Sequence, residues 1–165
     1  MAQITLGGTP VHTFSLLPPV GVNAPEFELV GTDLGPVKLS DYAGKKVVLN
    51  VFPSIDTGVC AMSVRTFNER AAGLENTVVI CVSNDLPFAL ARFCGAEGIE
   101  DVVVGSAFRS DFGQRYGVVM VSGALSGLLA RSVFVLDEEG VIRYEELVPE
   151  IKQEPDYDAA LAALD

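Results

Sequence analysis

Residues 52–60, FPSIDTGVC, place a cysteine where the apolar run VVLNVF gives way to a helical pattern, CAMSVRTFNERAA. Cys60 is one of three cysteines; the others are Cys81 and Cys94. A sulfur in the first turn of a helix meets backbone N–H groups that have no intrahelical partner, and a dipole end worth about half a positive charge. A thiolate is stabilised there. An ordinary thiol is only about 3% ionised at pH 7, so full ionisation raises its reactive fraction by at most about 30-fold. Enzymes accelerate reactions by at least roughly 10⁶-fold. A catalytic Cys60 must therefore gain most of its advantage from groups that position and polarise the substrate.

The neighbours suit that task. Pro53 has a fixed φ and no N–H, so it can shape the turn and shield the sulfur without competing for it. Thr57, three residues before Cys60, can turn its hydroxyl toward the sulfur or a bound oxygen, and Gly58 lets backbone approach closely. Arg131 opens the apolar run RSVFVLD and is the favoured source of a cation at the same sheet end. In the competing reading, Thr57 merely caps the helix and Cys60 packs as a small hydrophobe. Residue types alone leave both readings open.

The elements that must hold these residues are legible from periodicity. KKVVLNVF (45–52) and TVVICVS (77–83) are continuous apolar runs of the kind found in strands covered on both faces. A helix is expected from about 60 to 72. Another is expected over LPFALARFCGAEG, with Leu86, Leu90 and Phe93 on one face and Gly95 as its stop. DVVVGSA gives a short strand and DFGQRYG a helical turn. RSVFVLD and VIRYEELV form a hairpin turned at Glu138-Glu139-Gly140, and EPDYDAALAAL forms a last helix capped by Asp156 or Asp158. Residues 1–18, with Gly7-Gly8 between two short apolar runs, predict an N-terminal β-hairpin closed by Pro18-Pro19. FELVGTDLGPVKLSDY is expected as a short extended piece. Strands alternating with helices and ending in an antiparallel hairpin predict an α/β fold with a mixed sheet and helices on both faces. The turn after the first central strand is where sites in such sheets commonly form.

Composition bounds the function. The 165 residues fit one domain, 1–165, and 49% hydrophobic with 20% charged residues is ordinary for a folded chain. With 22 acidic against 11 basic residues, the formal charge of −11 repels phosphate backbones and anionic lipid, so no nucleic-acid or membrane partner is expected. A cytoplasmic protein is expected, because the N-terminal stretch lacks a basic start followed by a long apolar run. Three cysteines with no C-x-x-C pair fit neither a disulfide scaffold nor a zinc site.

FPSIDTGVC carries the Pro-x-x-x-Thr-x-x-Cys pattern of the peroxiredoxins and resembles the bacterial thiol peroxidase subfamily in continuing into CAMSVRTFN. LPFALARFCGAEG, ALSGLLARSVFVLDEEG and EPDYDAALAAL are similar to that subfamily's segments in the same order, so the resemblance covers essentially the whole chain. It implies a thioredoxin-like fold, a homodimer, and reduction of alkyl or lipid hydroperoxides without metal, haem or flavin. Position by position, it implies that Cys60 is the peroxidatic cysteine, oxidised to a sulfenic acid. Thr57 and Arg131 bind the sulfur and the peroxide, and Pro53 completes the set. Cys94 matches the resolving cysteine, which would close an intramolecular Cys60–Cys94 disulfide that thioredoxin reduces.

Spacing alone makes Cys94 a core candidate through its register with Leu90, and only the resemblance gives it a chemical role. Cys81, inside an apolar strand, is read as core. Asp56 is left outside the catalytic set, since a charge beside a thiolate opposes its ionisation. His12 is read as a surface residue of the hairpin. Phe27, Phe88, Phe93 and Phe112 are candidates for an apolar groove, though such aromatics are more often core. Two other functions use the same sulfurs: a general thiol–disulfide oxidoreductase, which normally has two cysteines in one C-x-x-C turn, and a redox sensor that uses the disulfide as a switch.

Overall fold

The apolar run at 45–52 becomes an interior strand of the sheet, and the turn that carries Cys60 follows directly from it. The computed structural model describes residues 1–165. Its strands are β1 (Gln3–Leu6), β2 (Thr9–His12), β3 (Glu28–Gly31), β4 (Pro36–Lys38), β5 (Lys46–Val51), β6 (Thr77–Ser83), β7 (Val103–Ser106), β8 (Ser132–Leu136) and β9 (Ile142–Leu147). The helices are α1 (Gly58–Ala71), α2 (Pro87–Glu97), α3 (Phe112–Arg115) and α4 (Tyr157–Ala162). Seven strands form one sheet in the order β4-β3-β7-β6-β5-β8-β9, and β1 and β2 form a separate antiparallel pair. Only β5–β6 and β6–β7 are parallel, so the sheet is mixed, as the strand-helix alternation predicts. No helix is long and apolar enough to cross a membrane.

Both faces of β5 are covered, which is why its sequence is apolar without alternation. Val47, Leu49 and Val51 pack with Phe27, Phe112 and Tyr116 on one face. Val48 packs with Phe52, Cys60, Val64 and Phe67 on the other, where α1 lies. Burying each such side chain contributes roughly 1.5–3 kcal/mol. Asn50 is the polar exception on the α1 side, and its Nδ2 donates to Ser63 Oγ at 3.2 Å and Cys81 Sγ at 3.6 Å.

Several boundaries differ from the sequence expectation. Helix α1 begins at Gly58 because Thr57 is extended (φ −104°, ψ 147°) and its carbonyl accepts from Ala61 N. Helix α2 runs through Gly95 and stops at Gly98, whose φ of 65° turns its N–H back to the Cys94 carbonyl. Leu86 is not on the buried stripe. It precedes Pro87, which confines it to extended backbone, and it is 52% exposed as the N-cap. The piece expected only as extended is an antiparallel β3–β4 hairpin followed by a 3₁₀ turn over Leu39–Tyr42. The N-terminal hairpin spans 3–12 and turns on Gly7 and Gly8, both at positive φ (58° and 86°), as a two-residue turn requires. Asp156 is the α4 cap, accepting from Ala159 N at 3.0 Å.

Candidate active site

The site forms where β5 ends. Phe52 N still donates to Val82 O, after which the buried Pro53 takes the chain out of the sheet. Ser54 then organises the turn: its carbonyl accepts from Thr57 N at 3.2 Å and from Thr57 Oγ1 at 2.9 Å. The Thr57 hydroxyl is thus committed as a donor to Ser54 and neither caps α1 nor bonds the sulfur, which leaves its lone pairs free. The N–H groups of Gly58, Val59 and Cys60 donate to no acceptor in the chain. Three donors at the positive end of the helix remain for a ligand.

Cys60 is fully buried, and its carbonyl accepts from Ser63 Oγ at 2.8 Å. Arg131 reaches it through strand register. Val51 pairs with Ser132, so Arg131 comes beside the end of β5, and alternation gives it the same face as Val133 and Val135, which pack against α1. Arg131 Nη2 lies 3.4 Å from Cys60 Sγ. The guanidinium is 2% exposed, its Nε and Nη2 donate to Ile151 O at 2.9 and 2.8 Å, and its Nη1 has no partner. None of the six ion pairs involves Arg131. A buried cation without a carboxylate is costly, and the Cys60 sulfur is the one side-chain atom to which this guanidinium donates.

The other predicted residues fall into place differently. Cys94 sits in the last turn of α2, half-buried against the same apolar cluster as Cys60, and all three cysteines are free thiols. Burial pushes the Cys94 thiol up. Burial pushes Cys81 further, up to about 12, which fits its reading as core. Asp56 pairs with Arg92 of α2 at 3.0 Å. The four phenylalanines share no groove. Phe27 and Phe112 are core on the far face of the sheet, Phe93 is partly buried near Cys94, and Phe88 is 69% exposed. His12 is half-buried on β2 rather than free on the surface.

Two contributors escaped the sequence reading. Asp85, in the turn between β6 and α2, accepts from Ser54 Oγ at 2.8 Å, Ile55 N at 2.7 Å and Ser83 Oγ at 2.6 Å. It ties the Cys60 loop to the start of the Cys94 helix. A carboxylate just ahead of a Leu-Pro helix start is a signal for such a turn. The second is the Ile151 carbonyl, which has no side-chain signature.

A buried thiol, a buried guanidinium and unpaired helix N–H groups thus meet at a strand-to-helix turn of a thioredoxin-like sheet. The redoxin family model matches residues 19–161. The chain is 60% identical to a thiol peroxidase of Corynebacterium glutamicum over 164 residues, 99% of each chain, and 57% identical to one of Mycobacterium tuberculosis over the same span. Among solved structures, a peroxiredoxin-like protein from Aquifex aeolicus superposes with a TM-score of 0.94 at 41% identity, covering 98% of this chain and 95% of its own. The chain belongs to the redoxin family, among its thiol peroxidases.

Proposed function

We propose that the protein reduces hydroperoxides, hydrogen peroxide and alkyl or lipid hydroperoxides alike, with Cys60 as the attacking sulfur. The observation that carries this reading is the buried Arg131 guanidinium, 3.4 Å from the buried Cys60 sulfur and without a carboxylate. The thiolate attacks one peroxide oxygen. An S–O bond forms as the O–O bond breaks, the sulfur loses two electrons, and the departing oxygen takes a proton to leave as water or alcohol. Negative charge moves from sulfur to the leaving oxygen during this step. Arg131 Nη1 and the first N–H groups of α1 have no acceptor in the chain and supply donors for that charge, and the Thr57 oxygen accepts a hydrogen bond from the peroxide O–H, whose proton passes to the leaving oxygen. Pro53, buried beneath the turn, shields the sulfur from water.

The Cys94 thiolate then displaces water from the Cys60 sulfenic acid, giving an intramolecular disulfide, and the dithiol of thioredoxin reduces it by exchange. Electrons thus arrive from thioredoxin and no resident cofactor takes part. A homodimer working in the cytoplasm completes the proposal. Disulfide geometry needs Cα atoms about 4.4–6.8 Å apart, and the two cysteines begin on separate helices, so the first turn of α1 and the last of α2 must open.

The test is peroxide-dependent NADPH oxidation coupled through thioredoxin and its reductase. Turnover is expected to be lost in Cys60→Ser and Cys94→Ser and kept in Cys81→Ser. Full activity in Cys60→Ser would overturn the proposal. A single oxidation of Cys60 without sustained turnover in the wild type would favour a sensor.

A further inference from the structure

The N-terminal hairpin makes no hydrogen bond to a cysteine, yet it grips the segment that holds Arg131. Glu150 Oε1 accepts from Thr5 Oγ1 and Gly8 N, both at 2.9 Å, and Oε2 accepts from Gly7 N at 3.1 Å and Lys152 N at 2.8 Å. These backbone donors hold the carboxyl well below its ordinary range, at about 2. Strand β1 also bonds to the segment through its backbone: Thr5 N donates to Pro149 O at 2.8 Å and Ile151 N to Thr5 O at 2.9 Å. Ile151 is buried with Ile4 and Val11 of the hairpin and with Met120 and Ala130. Its peptide is therefore fixed from one side by the hairpin. From the other side its carbonyl receives both bonds from Arg131.

That carbonyl is the only protein oxygen the guanidinium meets. An arginine side chain has many rotamers to choose among, and no carboxylate holds this one in place. The position of one carbonyl thus sets the position of the charge at Cys60. We propose that the N-terminal hairpin is a positioning element of the active site, and that Glu150, clasped by the Gly7-Gly8 turn, is a positioning residue. It holds Ile151 so that Arg131 stays against the sulfur. The inference rests on the proposed role of Arg131. Its path is three hydrogen bonds long: Thr5 to Ile151, Ile151 to Arg131, Arg131 to Cys60.

Glu150→Ala, Glu150→Gln and Thr5→Val would be compared with Arg131→Met in the full-length protein, with far-UV circular dichroism confirming the fold. The readouts are the rate of peroxide reaction and the rate of Cys60 alkylation by iodoacetamide at neutral pH, resolved from Cys94 by mass spectrometry. Misplacing a reacting group costs up to about 10²-fold, so Glu150→Ala is expected to slow both Cys60 rates by roughly tenfold to a hundredfold. Cys94 alkylation should not change. Glu150→Gln, which keeps an acceptor oxygen, recovers part of the loss, and Thr5→Val, the milder change, gives a smaller one. If Arg131→Met slows Cys60 while Glu150→Ala and Thr5→Val leave it at wild-type rates, the hairpin only packs and the inference is wrong. If Arg131→Met is also silent, the proposed function of Arg131 falls, and the inference with it.

Discussion

Arg131→Met removes the charge at Cys60 while keeping an apolar side chain of similar reach. At 3.4 Å and an effective dielectric constant of about 20, a guanidinium and a thiolate attract by about 5 kcal/mol. Not all of that is lost, because the α1 N–H groups remain. Removing one preorganised donor to a developing charge typically costs about 10²–10³ in rate, and a loss of that size is expected for peroxide reduction. Stability should behave oppositely. The substitution orphans the Ile151 carbonyl, at about 1–3 kcal/mol, but also removes a buried cation that has no carboxylate partner. The two offset, so the free energy of unfolding should stay within about 1.5 kcal/mol of wild type. Stopped-flow peroxide kinetics and urea unfolding on the same preparation decide it. A rate within threefold of wild type, or a destabilisation beyond about 4 kcal/mol, would mark Arg131 as a structural residue and refute the reasoning.

Asp85→Ala strips the carboxylate from three donors, two on the Cys60 loop and one at the end of β6, which should cost about 2–4 kcal/mol in urea unfolding and slow peroxide reduction by displacing Ser54 and Thr57; unchanged stability would show that water replaces the carboxylate freely. Oxidation to the disulfide should speed amide exchange at 58–61 and 94–98, and identical exchange in reduced and oxidised protein would rule out the local opening. Arg65→Ala breaks the bond pair to Glu97 that bridges α1 and the end of α2 at 2.7 and 3.2 Å, and should quicken disulfide closure by at most about fivefold, since exposed pairs hold less than about 1 kcal/mol. Glu150 has a folded pKa lowered from 4.5 to about 2, so the stability it contributes is present above 4.5 and lost as pH falls toward 2. Glu150→Gln should therefore flatten the acid limb of the stability curve in that window, and an unchanged limb would contradict the hydrogen-bond assignment.

Local pattern carried the site further than it carried the boundaries. Pro53, Thr57 and Cys60 lie within eight residues on one turn, so their spacing and chemistry are legible together. The competing reading of Thr57 as a cap was settled only by its hydroxyl turning to Ser54. Helix ends slipped where one backbone angle outweighed composition, at Thr57, Leu86 and Gly98. The β3–β4 hairpin was missed because its strands are only four and three residues long.

The interior strands, the turn that presents Cys60 and the hairpin at Gly7-Gly8 were legible from residue types a few positions apart, while the choice of Asp156 over Asp158 as cap needed the Ala159 bond. Arg131, 71 residues from Cys60, could be named as the cation but not placed. Its approach depends on the pairing of Val51 with Ser132, and its hold on a carbonyl at Ile151 that any residue could supply. Asp85 and Glu150 act through backbone donors brought to them by distant loops. Hydrogen bonds to main-chain groups leave almost no trace in residue identity, so only the tertiary structure could assign them.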